Sequence, residues 1–176
     1  MTQQLIYTSD LINNKILTID SAKEIGTVHD ILYNISERKI IALVLDKGGW
    51  FSDAKIIMAA DINSLGDDLV MVQSEDCVMK LSSDFLKQKP SSLMIDSEQI
   101  KKRNIVSESG TRHGKIDDLS IHPTDLTIIA AKASDGFFDN LMSSQKWFPV
   151  SAIQSIGDDA IIVSDKVTPV IEARDN

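Results

Sequence analysis

The sequence predicts an all-β protein made of two small antiparallel β-barrels related by internal duplication. Three observations predict it: the chain repeats itself, each repeat is written in short alternating strands, and polar turn residues separate those strands.

The duplication sets the frame. "ILTIDSAKEIGTVHDILYN" from Ile16 lies on "NIVSESGTRHGKIDDLSIH" from Asn104, so that Gly26 meets Gly114, Val28 meets Ile116, Asp30 meets Asp118 and Ile31 meets Leu119. The offset is 114 − 26 = 88 residues, and it persists at Ile40 and Ile128. Farther on, "AADINSLGDDLVMV" matches "PVSAIQSIGDDAIIV", with Gly66 on Gly157 and an offset of 157 − 66 = 91. The three added residues fall between these anchors, beside "GGWFSDA" and "DGFFDNL", where a surface hairpin tolerates insertion. The domains read as 1–76 and 92–176, the second carrying a short tail, with a connector at 77–91. That connector lacks strand alternation, and a short helical turn is expected at 83–87.

Within the first unit, "TVHDILYNI" alternates, with Val28, Ile31, Tyr33 and Ile35 as the buried side and an irregularity at Asp30–Ile31. "SER" turns into "KIIALVLD", a strand rich in β-branched residues. "KIIMA" and "LVMVQ" follow, separated by the turn "ADINSLGDD". The second unit repeats the order as "GKIDDLSI", "LTIIAAKA", "KWFPV" and "AIIVS". Gly26 and Gly114 mark a bulge or close approach at the start of each long hairpin. Gly66 and Gly157 are expected to take left-handed dihedrals in their turns. Each unit alone is small enough to be marginal, so packing of the two about a pseudo-twofold axis is expected.

Composition narrows the function. With 18 basic and 26 acidic residues the chain carries a net charge of −8, which argues against direct nucleic-acid binding. The nearest basic cluster, Lys101, Lys102, Arg103 and Arg112, reads as solvated surface. The single Cys77 allows no internal disulfide, and neither a signal peptide nor an apolar run of ~20 residues is visible. A cytoplasmic protein is the expectation.

No chemistry stands out. There is no phosphate-cradling glycine loop and no nucleophile elbow, so no catalytic residue and no cofactor is assigned. His29, His113 and His122 do not share a position between the repeats, and no metal site is assigned. The recurring pairs Asp67–Asp68 and Asp158–Asp159 read as turn residues that bond their own backbone. Asp30 and Asp118 read as bulge residues that satisfy free backbone N–H groups.

The segments "SDLINNKILTIDSAKEIGTVHDILYN" and "KIIALVLDKGGWFSDAKIIMAADINSLGDDLVMV" resemble the PRC-barrel family. The first copy matches over 9–72 and the second, looser, over 96–163, where His113 replaces Ile25 and Pro149 enters the last hairpin. The resemblance implies a β-barrel adaptor without a shared catalytic residue. It also implies relatives in a photosynthetic reaction-centre subunit and a ribosome-maturation factor.

The aromatic loops are the remaining feature. Trp50, Phe51, Phe137 and Phe138 supply four of the nine aromatic residues. Either they cap the barrels or they form an exposed patch that docks a partner. The expected function is a non-enzymatic adaptor or scaffold that binds a protein partner, reaches a membrane only through that partner, and is compatible with homo-oligomers. The alternatives are a small-ligand module at the cleft between units and a factor associated with ribosome or RNA maturation.

Overall fold

The computed structural model describes residues 5–45, 54–81, 94–134 and 145–172. The first unit runs β1 (Ile6–Tyr7), α1 (Thr8–Leu11), β2 (Lys15–Thr18), β3 (Glu24–Thr27), β4 (Asp30–Asn34) and β5 (Lys39–Val44). It continues with β6 (Lys55–Met58), β7 (Ile62–Leu65), β8 (Leu69–Val72) and β9 (Val78–Lys80). The second unit repeats the order: β10 (Met94–Ile95), α2 (Ser97–Lys101), β11 (Asn104–Ser107), β12 (Arg112–Ile121) and β13 (Ile128–Ser134). It ends with β14 (Gln145–Pro149), β15 (Ile153–Ile156), β16 (Ala160–Val163) and β17 (Val170–Glu172). The fold is all-β, as the alternation predicts. The turn expected at 83–87 lies outside the described residues.

The second unit forms one ladder, β15-β16-β11-β12-β13-β14-β17. The first unit has the same order split in two, β7-β8-β2-β3 and β4-β5-β6-β9. The split falls at Val28–His29, where Val28 N–H donates to the Asn14 carbonyl (2.9 Å) and His29 N–H to the Val44 carbonyl (2.7 Å). Each unit also contains one parallel pair, β2 with β8 and β11 with β16, set among antiparallel neighbours. The ladders remain open at their outer strands instead of closing into rings.

The neighbouring unit takes the place of closure. One continuous core holds Ile16, Val28, Ile31, Leu43, Ile57 and Val70 of the first unit together with Ile105, Ile116, Leu119, Ile121, Phe148 and Ile161 of the second. Val28, Ile31, Tyr33 and Ile35 all lie in it, as the alternation predicts. The first unit's main sheet is apolar on both faces. Leu32, Ile41, Ala42, Val44 and Ile56 form a second cluster on the other side, which is why "KIIALVL" reads as a nearly unbroken apolar run.

The two units exchange strands. β1 pairs with β12 of the second unit (Ile6 opposite Ile121, Tyr7 opposite Ser120). In return, β10 pairs with β4 of the first unit (Met94 opposite Asn34, Ile95 opposite Tyr33). Between them, Ile40 N–H donates to the Leu126 carbonyl (3.1 Å) and Ile128 N–H to the Arg38 carbonyl (2.9 Å), around a bridge from Lys39 to Thr127. Arg38 and Leu126, 88 residues apart, share a left-handed backbone with φ of 55° and 56°. A pseudo-twofold axis therefore passes between Lys39 and Thr127.

Two glycine expectations need correction or sharpening. Gly66 and Gly157 are not left-handed: φ is positive only at Gly110 and Gly114 among the described glycines. Each instead donates its N–H across the hairpin, Gly66 to the Leu69 carbonyl (2.8 Å) and Gly157 to the Ala160 carbonyl (2.9 Å). The two aspartates then take the central turn positions with negative φ, which any residue adopts. Gly26 matters for space, since a Cβ there would lie 3.2 Å from Leu45 Cδ2 and 3.4 Å from its Cγ. Leu45 is itself buried and has little room to retreat. Gly26→Val is expected to cost about 1–3 kcal/mol, read as a lower denaturation midpoint; an unchanged midpoint would show that Leu45 yields.

Candidate functional site

The aromatic loops lie outside the described residues, so Trp50, Phe51, Phe137 and Phe138 are placed only by their anchors. In the first unit the hairpin is held as far as Leu45, whose N–H donates to the Lys55 carbonyl (2.8 Å), and Val44 stands opposite Ile56. In the second unit Lys132 stands opposite Trp147 and Ala133 opposite Lys146. The two loops thus spring from equivalent hairpins, β5–β6 and β13–β14. The nearest described aromatic pair alternates faces: Phe148 enters the common core, while Trp147 lies on the opposite face, stacked on Tyr7 with ring centroids 5.1 Å apart. The small residues Ser120 and Ala130 on the strands between them leave room for that stack.

A partly buried polar cluster joins the two units at the seam. The Asp118 carboxylate accepts hydrogen bonds from Thr8 Oγ1 (2.7 Å), Ser9 N–H (3.1 Å), Ser9 Oγ (2.5 Å) and Leu119 N–H (2.8 Å). Asp30, its counterpart, accepts from Ile31 N–H (2.7 Å) and Ser97 N–H (3.3 Å). Ser9 and Ser97 are themselves 88 residues apart, so the pseudo-twofold relates these contacts. The Tyr33 hydroxyl sits among these groups. Burial pushes its pKa up to about 12, Asp118 and Asp30 add to that rise, and hydrogen bonds with Thr8 and Ser97 oppose it. The bulge reading of the two aspartates is right for the N–H groups next in sequence. What it missed is that each also ties down the start of the other unit's short helix.

Two cavities bear on ligand binding. A groove of about 400 Å³ in the first unit is lined by Asp61, Asn63, Gln73, Ser74, Asp76 and Cys77 among others. Burial pushes the Cys77 thiol upward, and the Asp61 and Asp76 carboxylates push the same way, so the thiol is not activated as a nucleophile. Ala152 stands at the position of Asp61 in the second unit, so the groove's acidic lining is not duplicated. At the seam itself there is a void of about 20 Å³ lined by Ile35, Arg38, Ile100, Leu119 and Ile128 among others. That is room for about one water. At these described residues the seam is packed with apolar side chains.

The histidines are dispersed. His29 is exposed, His113 packs on Phe148 (5.0 Å), and His122 lies 3.4 Å from Asp125. Among the described residues no three His, Cys, Asp or Glu side chains come together to hold a metal. Of the basic cluster, Lys102 pairs with Glu98 at 2.6 Å. Arg103 is buried instead of solvated; among the described residues its Nε and Nη1 have no hydrogen-bond partner, and Nη2 approaches the exposed Asp158 at 3.9 Å. Burial lowers its pKa. No helix among the described residues is long and apolar enough to cross a membrane.

Comparison with known families agrees with this architecture. The PRC-barrel domain family matches the chain twice, over residues 3–76 and again over 94–167. No curated protein matches the chain.

Proposed function

The chain belongs to the PRC-barrel domain family, and from that premise we propose that it is a non-enzymatic adaptor that binds a protein partner through its aromatic hairpin loops. PRC-barrel domains are protein-interaction modules. The observation that carries the finer reading is positional: both aromatic loops arise from the same hairpin of the duplicated unit, β5–β6 and β13–β14. Duplication therefore puts an aromatic pair in the equivalent hairpin of each unit, and aromatic anchors are the residues that dominate binding energy at interfaces. A cytoplasmic location and the lack of enzymatic activity belong to the same proposal.

The test compares wild type with a variant carrying Trp50→Ser, Phe51→Ser, Phe137→Ser and Phe138→Ser. Proteins retained from the source lysate would be identified by mass spectrometry, with melting curves recorded in parallel. A folded variant that loses a specific wild-type partner supports the adaptor reading. A folded variant that keeps every partner sinks it. A variant that unfolds assigns the rings to barrel capping, and the docking surface is then not these loops.

A further inference from the structure

We infer that the seam between the two units is also a self-association surface, through which two copies of this chain pair by exchanging whole units. In the dimer, the first unit of each copy closes on the second unit of the other. The inference stands on the seam alone and is independent of the adaptor reading.

The seam has the form such an exchange requires. Each unit contributes one two-residue strand and the helix after it to the other: β1 to β12, and β10 to β4. Each helix start is bonded by an aspartate of the opposite unit, Ser9 N–H by Asp118 and Ser97 N–H by Asp30. Across the axis, Ile40 N–H and Ile128 N–H reach the carbonyls of Leu126 and Arg38. Every one of these contacts joins the first unit to the second, so a second copy can supply each of them unchanged. Such an exchange makes no new interface and leaves no seam donor without its acceptor.

What favours the closed single chain is the short covalent link, and the same link states when exchange must win. The link leaves the first unit after β9, at one edge of the sheet β10-β4-β5-β6-β9, and re-enters as β10 at the other edge. Those edges are four strand spacings apart, about 19 Å measured along the sheet at the usual interstrand distance. Residues 82–93 bridge them. If only residues 82, 92 and 93 remained, four Cα–Cα steps would reach about 14 Å, which disfavours pairing of β10 with β4 of the same copy relative to β4 of another. In the full chain the link gives an effective concentration on the order of millimolar. Exchange is then expected to become appreciable when unfolded chain is refolded near that concentration, and to be negligible at micromolar concentration.

The Lys39–Thr127 bridge supplies the reporter. The bonds flanking it make it a non-hydrogen-bonded antiparallel pair, in which facing side chains are closest. One chain carries Lys39→Cys and a second carries Thr127→Cys, both with Cys77→Ser. The two are unfolded together and refolded at roughly 1 µM and roughly 1 mM, the latter matching the link's effective concentration. A mixed disulfide and a species of twice the monomer mass, both at least tenfold more abundant at the high concentration, are expected. The chain lacking residues 83–91 is expected to form more dimer than the full chain at both. Refolded protein that stays monomeric at the high concentration without mixed disulfide overturns the inference. So does a folded shortened chain that forms no more dimer than the full chain.

Discussion

Asp118→Ala is expected to destabilise the protein by about 2–4 kcal/mol, a fall of roughly 5–12 °C in Tm for a chain of this size. The carboxylate is buried and, among the described residues, accepts four hydrogen bonds, three of them from Thr8 and Ser9 of the other unit. Alanine leaves the Ser9 and Leu119 N–H groups without these acceptors; the Leu119 donor is buried, and an orphaned buried donor costs about 1–3 kcal/mol, while the partly buried Ser9 N–H can turn to water. The two hydroxyls can rotate to other acceptors, which keeps the total from being a simple sum. Asp30→Ala is the internal control, because among the described residues Asp30 accepts Ile31 N–H and a longer 3.3 Å bond from Ser97. Its expected cost is about half as large. Equal midpoints for the two variants in urea unfolding would show that the seam cluster adds nothing beyond the local bulge.

The contrast between these aspartates also shows what the sequence could and could not reveal. The recurrence of Asp30 and Asp118 at an offset of 88 was legible, and so was their attraction to a free backbone N–H. Their partners were not, because Ser9 and Ser97 lie 109 and 67 residues away and no local pattern encodes that distance. The three-residue insertion was legible and is located by the register. Val44 and Ile56 enclose 56 − 44 − 1 = 11 residues, while Lys132 and Trp147 enclose 147 − 132 − 1 = 14.

The exchanged strands β1 and β10 escaped notice because two residues carry no periodicity. The helix α2 did leave a signal: Asp96, three residues before Gln99, accepts its N–H at 2.8 Å. Positive φ at Arg38 and Leu126 ran against residue type, since Gly or Asn would be the usual choice. The hydrogen bonds across the axis hold those positions in place of intrinsic preference. Burial of Arg103 likewise went against expectation, because a run of basic residues in sequence says nothing about which of them the chain folds over.

The largest effect is expected from cutting the chain. Residues 1–81 alone are expected not to fold as a monomer: the cooperative unfolding transition should be absent at micromolar concentration. The reason is the shared core. Val28, Ile31, Leu43 and Ile57 pack in the same cluster as Ile105, Ile116, Leu119 and Ile121, and removal of the second unit returns that inner face to water. Burying one such side chain contributes about 1.5–3 kcal/mol, so exposing several removes more than the whole net stability of a small domain. β4 would also lose β10 from its edge, and Ile40 N–H would lose the Leu126 carbonyl. The fragment is not a neutral object, however, because its two sides are related to each other by the duplication. β1 of one fragment has the position on β4 of another that β10 occupies in the chain, and Ser9 can stand toward Asp30 as Ser97 does. Any folded fragment is therefore expected to be a dimer whose stability rises with concentration. Amide dispersion in a heteronuclear NMR spectrum, recorded beside light scattering across a dilution series, separates the cases. A well-dispersed monomer that survives dilution would mean that each unit closes its own core and that the exchanged strands only decorate it.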